Sequence, residues 1–181
     1  GRLCLRSSQK TYNQALGASI LAHRGKSQAK EIFRSWSKNL AMEVTHSDRA
    51  IIHAINKGTC DVGIINSYYL APFIEENPDF AVRPFFPNQE TTGAHVNGVG
   101  VGLLKHAKNV KEATLLMEYL TSKKVQAPVA EAFSQYPVNP NAAIDPTLQT
   151  FGDFTYDRVN MGILGHLTEN ARKLMLEANY Q

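Results

Sequence analysis

Residues 60–69 read CDVGIINSYY, and this stretch decides the fold. Residues 62–65 form a short apolar run rich in β-branched side chains, and the polar Asn66 closes it. This pattern predicts a buried parallel strand that ends in a turn into a helix. In open α/β sheets, ligands bind just beyond the carboxyl ends of the strands. Tyr68 and Tyr69 occupy that position here, so the sequence predicts a binding site at this turn.

Two adjacent tyrosines provide a pair of anionic oxygen ligands when both are deprotonated. Tyrosine titrates at roughly pH 10, so keeping Tyr68 and Tyr69 as phenolates at neutral pH requires a strong electrophile. A hard, highly charged cation that prefers oxygen ligands suits that role, and ferric iron fits best. The alternative is that the pair is ordinary aromatic packing at the start of a helix.

Four stretches of the chain together resemble one family. They are GRLCLRSSQ at residues 1–9, YNQ at residues 12–14, CDVGIINSYY at residues 60–69 and YPVNP at residues 136–140. These stretches run through almost the whole chain in the expected order. In them the chain resembles the periplasmic ferric-ion-binding proteins, the bacterial transferrins of ABC iron importers.

The resemblance implies a set of metal ligands. In that family the adjacent tyrosines bind Fe³⁺ from one lobe, which here means Tyr68 and Tyr69. A subgroup adds a third tyrosine after the R-S-S stretch, which matches Tyr12. The family's asparagine just before the pair lies near a synergistic anion or behind the ligands, and it matches Asn66. Fe³⁺ with an anion such as carbonate, phosphate or citrate is the expected cargo.

A second polar turn follows the opening strand of the chain. Ser7 and Ser8 can present hydroxyl and N–H groups to an anion, with Arg6 as a charge partner, although turn capping explains the two serines equally well. Tyr12 lies near the start of the next helix, so it also sits beyond the carboxyl end of a strand. This shared position is a geometric reason for the three phenols to meet.

The two cysteines can form a disulfide. Cys4 lies on the opening strand and Cys60 at the start of the later one, and a parallel sheet can set them side by side. A disulfide would imply an oxidising compartment such as the periplasm. The alternative is that both are small buried apolar residues. A zinc site or a catalytic thiol has poor support, because neither cysteine has metal-ligand spacing around it.

Apolar residues at helical spacing predict the helices of the chain. One follows Gln9 and stops at Gly25, and the next covers residues 27–40. Ser47 or Asp48 caps a helix that ends at Gly58. Later helices are predicted over residues 70–76, 109–120 and 122–133, with a closing helix around residues 167–178. Residues 80–86 are predicted to form a strand.

The fold class that follows is an α/β, periplasmic-binding-protein-like (type II) doubly wound sheet, mostly one lobe of a two-lobed protein. By resemblance, residues 1–98 and 150–181 form the C-terminal lobe, and residues 99–149 supply a crossover strand and helices of the other lobe. The abrupt start suggests a fragment that lacks its N-terminal lobe and signal peptide. We expect the fragment either to dimerise through residues 99–149 or to leave that block poorly ordered.

Composition limits the classes of function. The chain has 181 residues, a formal net charge of +3 and no dense basic stripe, so nucleic-acid binding has weak support. No nucleophile–base pair or paired carboxylates indicate an enzyme. The resemblance implies a periplasmic receptor that delivers iron to an inner-membrane ABC permease. The alternatives are a binding protein for a small organic solute or oxyanion, the effector-sensing domain of a transcription regulator, and a small enzyme.

Overall fold

The computed structural model describes the whole chain, residues 1–181. A single turn of 3-10 helix covers Ser67–Tyr69. No helix combines the length and the apolar composition that crossing a bilayer requires. The other elements in chain order are β1 (Leu3–Cys4), α1 (Thr11–Lys38), α2 (Asp48–Asn56), β2 (Val62–Gly63), α3 (Ala71–Glu76), α4 (Val110–Leu120), α5 (Lys123–Ala132), α6 (Pro146–Gln149) and α7 (Met161–Glu177).

The two strands form a parallel pair, with Leu3 of β1 opposite Val62 of β2. A further parallel bridge joins Arg6 to Thr45. The predicted parallel pairing is therefore confirmed. The strand is shorter than predicted, because β2 is two residues long and Val62 at its start is 60% exposed. β2 pairs with β1 alone and therefore lies at the edge of the sheet, where it is less buried than a central parallel strand.

The chain divides into two compact units. The first unit comprises Gly1–Asn66, Phe80–Asn97 and Phe154–Gln181, and the second comprises Ser67–Asp79 and Gly98–Asp153. The segment with Tyr68 and Tyr69 therefore groups with Gly98–Asp153, whereas the sequence reasoning placed it with residues 1–98. The assignment of either unit to a lobe of a two-lobed protein stays a prediction.

The first unit is held together by α1 packed along α7. The two helices approach closely at Gly17, where a Cβ atom would collide with the side chain of Met175. Fully burying a large apolar side chain such as Met175 stabilises a fold by about 1.5–3 kcal/mol. The main core cluster consists of Leu5, Ala29, Phe33, Leu174, Met175, Ala178 and Tyr180.

Most of the predicted helix starts and ends are confirmed. Gly25 interrupts α1 with φ of +71°, a conformation that favours glycine, and splits it into the two predicted helices. Ser47 is the N-cap of α2, and its side chain accepts a hydrogen bond from the Ala50 backbone N–H. Gly58 follows α2 with φ of +75°.

The second unit contains α3 to α6. In this unit α3 packs against α6 and α4 against α5.

Two predicted strands are absent. Residues 99–104 are exposed and form no strand, so the predicted crossover strand is not observed. Residues 80–86, in the first unit, form no strand either. A strand requires backbone hydrogen bonds to a neighbouring strand, and neither segment takes part in the sheet formed by β1 and β2.

Candidate functional site

The tyrosine pair follows β2 closely, as the sequence predicted. Tyr68 and Tyr69 lie in the 3-10 turn Ser67–Tyr69, which the Leu70 backbone N–H extends by donating to the Ser67 carbonyl oxygen at 2.9 Å. The two ring centroids are 4.5 Å apart, with an angle of 41° between the ring planes. Both residues are half-buried. The pair is therefore a contacting unit of two phenols, each of which retains exposed surface.

Arg6 forms a buried ion pair with Asp48. Arg6 is 3% exposed and Asp48 is 2% exposed. The Arg6 Nη1 atom donates to Asp48 Oδ2, and its Nη2 atom donates to Asn13 Oδ1 at 3.2 Å. The sequence reasoning offered Arg6 as a charge partner for an anion, but its positive charge already faces a carboxylate. A contact between Arg6 and an anion stays a prediction.

Asn66 is anchored by the same carboxylate. Its backbone N–H donates to Asp48 Oδ1 at 2.9 Å, and its side-chain amide donates to that oxygen at 3.4 Å. Its own Oδ1 atom accepts a hydrogen bond from Asn97 Nδ2 at 3.2 Å. Three hydrogen bonds therefore fix Asn66 at the point where the chain leaves the first unit.

Tyr12 lies in the first turn of α1, after the end of β1, as predicted. Its ring centroid is 5.2 Å from the Arg6 guanidinium carbon, within the range of a cation–π contact. The side chain is 41% exposed and accessible to a ligand. Tyr12 belongs to the first unit and the tyrosine pair to the second, so their convergence on one ion stays a prediction.

Ser7 and Ser8 are both buried. The Ser7 Oγ atom accepts a hydrogen bond from the Gln9 backbone N–H at 3.2 Å, a contact that caps the turn before α1. Neither serine caps the helix itself, since the N-cap of α1 is Lys10. The Ser8 Oγ and Arg6 Nε atoms are buried without a hydrogen-bond partner. These two atoms keep unused hydrogen-bonding capacity in this turn.

Tyr180 and Asn13 complete the support of Arg6, and the sequence reasoning missed both. The Tyr180 hydroxyl donates to the Arg6 carbonyl oxygen at 2.7 Å and accepts from Asn13 Nδ2 at 2.6 Å. Burial raises the pKa of Tyr180 to about 12, so this phenol stays neutral and is unsuited to metal binding.

Asp48 was missed as a partner of Arg6. In the sequence it was identified only as a candidate helix cap. Because Ser47 is the N-cap of α2, the Asp48 side chain is free to reach Arg6 and Asn66. A local signal cannot show this, since Arg6 and Asp48 are 42 positions apart in the chain.

The other metal-binding side chains do not form a competing site. No group of three or more His, Cys, Asp or Glu residues in the chain is arranged to hold a metal ion. Cys4 and Cys60 are joined in the predicted disulfide, and no free cysteine remains.

The chain matches the model of a known protein family. The family is described as bacterial extracellular solute-binding protein, and the match covers residues 6–155. Among curated relatives, iron uptake protein A1 of Synechocystis sp. (strain ATCC 27184 / PCC 6803 / Kazusa) is 35% identical over 187 residues. This match covers 100% of the chain and 52% of the relative, so the chain spans about half the length of that protein.

Solved structures of related proteins have the same fold. A Trichodesmium protein (IdiA, FutA) in complex with iron and citrate is 35% identical, with a TM-score of 0.94 over 99% of this chain and 59% of the other. The ferric iron-binding protein A of Mannheimia haemolytica, in an open conformation, is 31% identical, with a TM-score of 0.92 over 99% of this chain and 58% of the other. The predicted periplasmic-binding-protein-like fold is confirmed.

Proposed function

Because the chain belongs to the bacterial extracellular solute-binding proteins, we propose that it binds ferric iron through tyrosinate oxygens. The observation that carries this proposal is the contacting pair Tyr68–Tyr69, with ring centroids 4.5 Å apart, just after the end of β2. Two phenolates offer hard anionic oxygen donors to a hard trivalent cation. The relatives include an iron uptake protein and a protein solved in complex with iron, which supports the same cargo.

Tyr12 is proposed as a third ligand. Its partial exposure and its position in the first turn of α1 support this role, together with the resemblance to the subgroup that carries such a tyrosine. In the full-length protein the portion of the relatives that this chain does not span would supply further ligands.

A synergistic anion such as carbonate, phosphate or citrate is proposed to complete the site. The Trichodesmium structure contains citrate together with iron, which supports an anion of this kind. Arg6, Ser7, Ser8 and Asn66 are the candidate residues beside it. The buried Ser8 Oγ and Arg6 Nε atoms have hydrogen-bonding capacity left for an oxyanion.

The proposed role in the cell is transport without turnover. The protein would capture iron in the periplasm and deliver it to an inner-membrane ABC permease. Protons compete with Fe³⁺ for phenolate oxygens, so acid should release the metal. The Cys4–Cys60 disulfide agrees with an oxidising compartment.

The test is an absorption titration of the full-length gene product with ferric citrate. Phenolate-to-iron charge transfer should give a visible band that saturates at one equivalent, and the Tyr68→Phe plus Tyr69→Phe variant should lose it. The matched control is Tyr119→Phe plus Tyr156→Phe, which removes two hydroxyls from exposed tyrosines and should leave the band unchanged. A colourless titration of the wild-type protein would contradict iron binding and favour an organic solute or oxyanion as cargo.

A further inference from the structure

The buried ion pair of the first unit contacts two of the segments that carry proposed site residues. We propose that Arg6 and Asp48 act together as the positioning pair of the ferric site, Arg6 by orienting Tyr12 and Asp48 by fixing Asn66 ahead of the tyrosine pair. This inference rests on the proposed function. It adds Asp48 to the site and gives Arg6 a further role, in which both act through the ligands rather than on the metal.

The Arg6 side of the pair is rigid. The Arg6 carbonyl oxygen accepts hydrogen bonds from Asn13 Nδ2 at 2.7 Å and from the Tyr180 hydroxyl at 2.7 Å. Its guanidinium is held between Asp48 and Asn13. The Tyr12 ring therefore lies near a planar cation that two hydrogen bonds hold in place, and this contact favours one orientation of an otherwise exposed phenol.

The Asp48 side of the pair is equally constrained. Asp48 is the first residue of α2, whose start is fixed by the Ser47 cap. Its two carboxylate oxygens have different partners. Oδ2 accepts from Arg6, and Oδ1 accepts from the Asn66 backbone N–H. Asn66 precedes Tyr68 by two residues and is the last residue of this part of the first unit, so Asp48 anchors the backbone just before the tyrosine pair.

Stability alone does not account for this arrangement. A buried ion pair can often be replaced by apolar side chains of similar size without loss of stability, because burying two charges costs as much as their attraction returns. Groups that orient metal ligands differ in this respect, since their loss weakens metal binding by about 10- to 100-fold. The two roles therefore predict different outcomes when the whole pair is replaced.

The experiment compares iron binding and stability in the full-length protein. The principal variant is Arg6→Met plus Asp48→Leu, which removes both charges together. The matched control is Arg2→Met plus Asp61→Leu, because Arg2 and Asp61 form an exposed ion pair just before β1 and β2. Arg6→Lys is the second variant, since it keeps a positive charge beside Asp48 and loses the planar group near Tyr12. Each protein is characterised by its apo melting temperature, its ferric charge-transfer band and its iron dissociation constant in competition with citrate.

We expect the principal variant to fold and to bind iron about 10- to 100-fold more weakly, with a displaced charge-transfer band. The control should match the wild type in both iron measurements. Wild-type affinity and an unchanged band in the folded principal variant would overturn the inference. If that variant does not fold, Arg6→Lys decides: a displaced band and weaker binding support the inference, and wild-type values overturn it.

The two proposals fail in different ways. If the wild-type protein shows no charge-transfer band, the proposed function fails, and the positioning pair fails with it. If the wild type shows the band and the Tyr68→Phe plus Tyr69→Phe variant loses it, while the Arg6 and Asp48 variants bind iron normally, only the positioning role is overturned.

Discussion

Cys4 and Cys60 form a disulfide between β1 and the residue that leads into β2, with their Cα atoms 5.9 Å apart. Both residues are 1% exposed and pack against Ile51 of α2. The bond closes a sequence separation of 56 residues. It thus links the two strands that precede the proposed site residues Tyr12 and Asn66.

Removing this disulfide should destabilise the first unit. In the chain-entropy model, a loop of this length contributes about 4 kcal/mol by restricting the unfolded chain. We expect Cys4→Ala plus Cys60→Ala to lower the free energy of unfolding by about this amount, measured by urea denaturation. Wild-type protein in a strong thiol reductant should approach the value of the variant. Equal stability of oxidised wild type and variant would contradict a structural role for the bond.

Asp157 should stabilise the protein in its charged form. Its side chain is 4% exposed, and its Oδ2 atom accepts from Ser19 Oγ at 2.7 Å and contacts His23 Nε2 at 2.9 Å. Burial by itself would raise the pKa of Asp157, but the hydrogen bonds from Ser19, the Val159 backbone N–H and His23 outweigh it and hold the pKa below its usual range. The unfolded chain therefore takes up this proton first as the pH falls, and the stabilisation is lost below roughly pH 4.

Asp157→Asn tests this pH dependence. We expect the variant to be about 1–3 kcal/mol less stable at pH 7, because charged hydrogen bonds are replaced by neutral ones. The difference from wild type should shrink as urea denaturation is repeated toward pH 3.5. Asp153→Asn, at an exposed aspartate, is the control and should change little. A difference that is constant with pH would contradict the charged role of Asp157.

Tyr180 should ionise only at strongly alkaline pH. Its pKa is raised to about 12 by burial, so the neutral phenol stabilises the fold below roughly pH 10 and this contribution is lost as the pH rises through about 12. Tyr180→Phe should lower the free energy of unfolding by about 1–2 kcal/mol at pH 7, because Asn13 and the Arg6 carbonyl lose a partner. In an alkaline absorbance titration the variant should lack the phenolate transition at about pH 12 that the wild type shows. Tyr119→Phe should retain that transition.

Local sequence signals predicted much of the fold and the position of the candidate site. The Ser47 cap, the interruption at Gly25 and the strand before Tyr68 each depend on residues close together in the chain, and each is present. The Cys4–Cys60 pairing followed from one long-range assumption, that the two strands are parallel neighbours.

The relationships that the sequence did not show join distant residues. Asp48 looked like a helix cap, and only the fold brings it to Arg6 and Asn66. The strand predicted over residues 80–86 and the crossover strand predicted within residues 99–149 are absent for a related reason. Local composition favours an extended backbone, but a strand also requires a partner that no local pattern specifies.

The 181-residue chain by itself should associate through α4. No residue of α4 is buried, and Leu115 and Leu116 are each 55% exposed. Removing this apolar surface from water favours association of copies of the chain. We expect sedimentation velocity to show a concentration-dependent dimer, and Leu115→Lys plus Leu116→Lys to shift it to monomer while keeping the helix, since lysine is a good helix former. Met161→Lys plus Ile163→Lys changes two similarly exposed residues of α7, 52% and 51%, and should leave the dimer intact. If only monomer sediments at every concentration, or if both variants dissociate the dimer equally, α4 is not the associating surface.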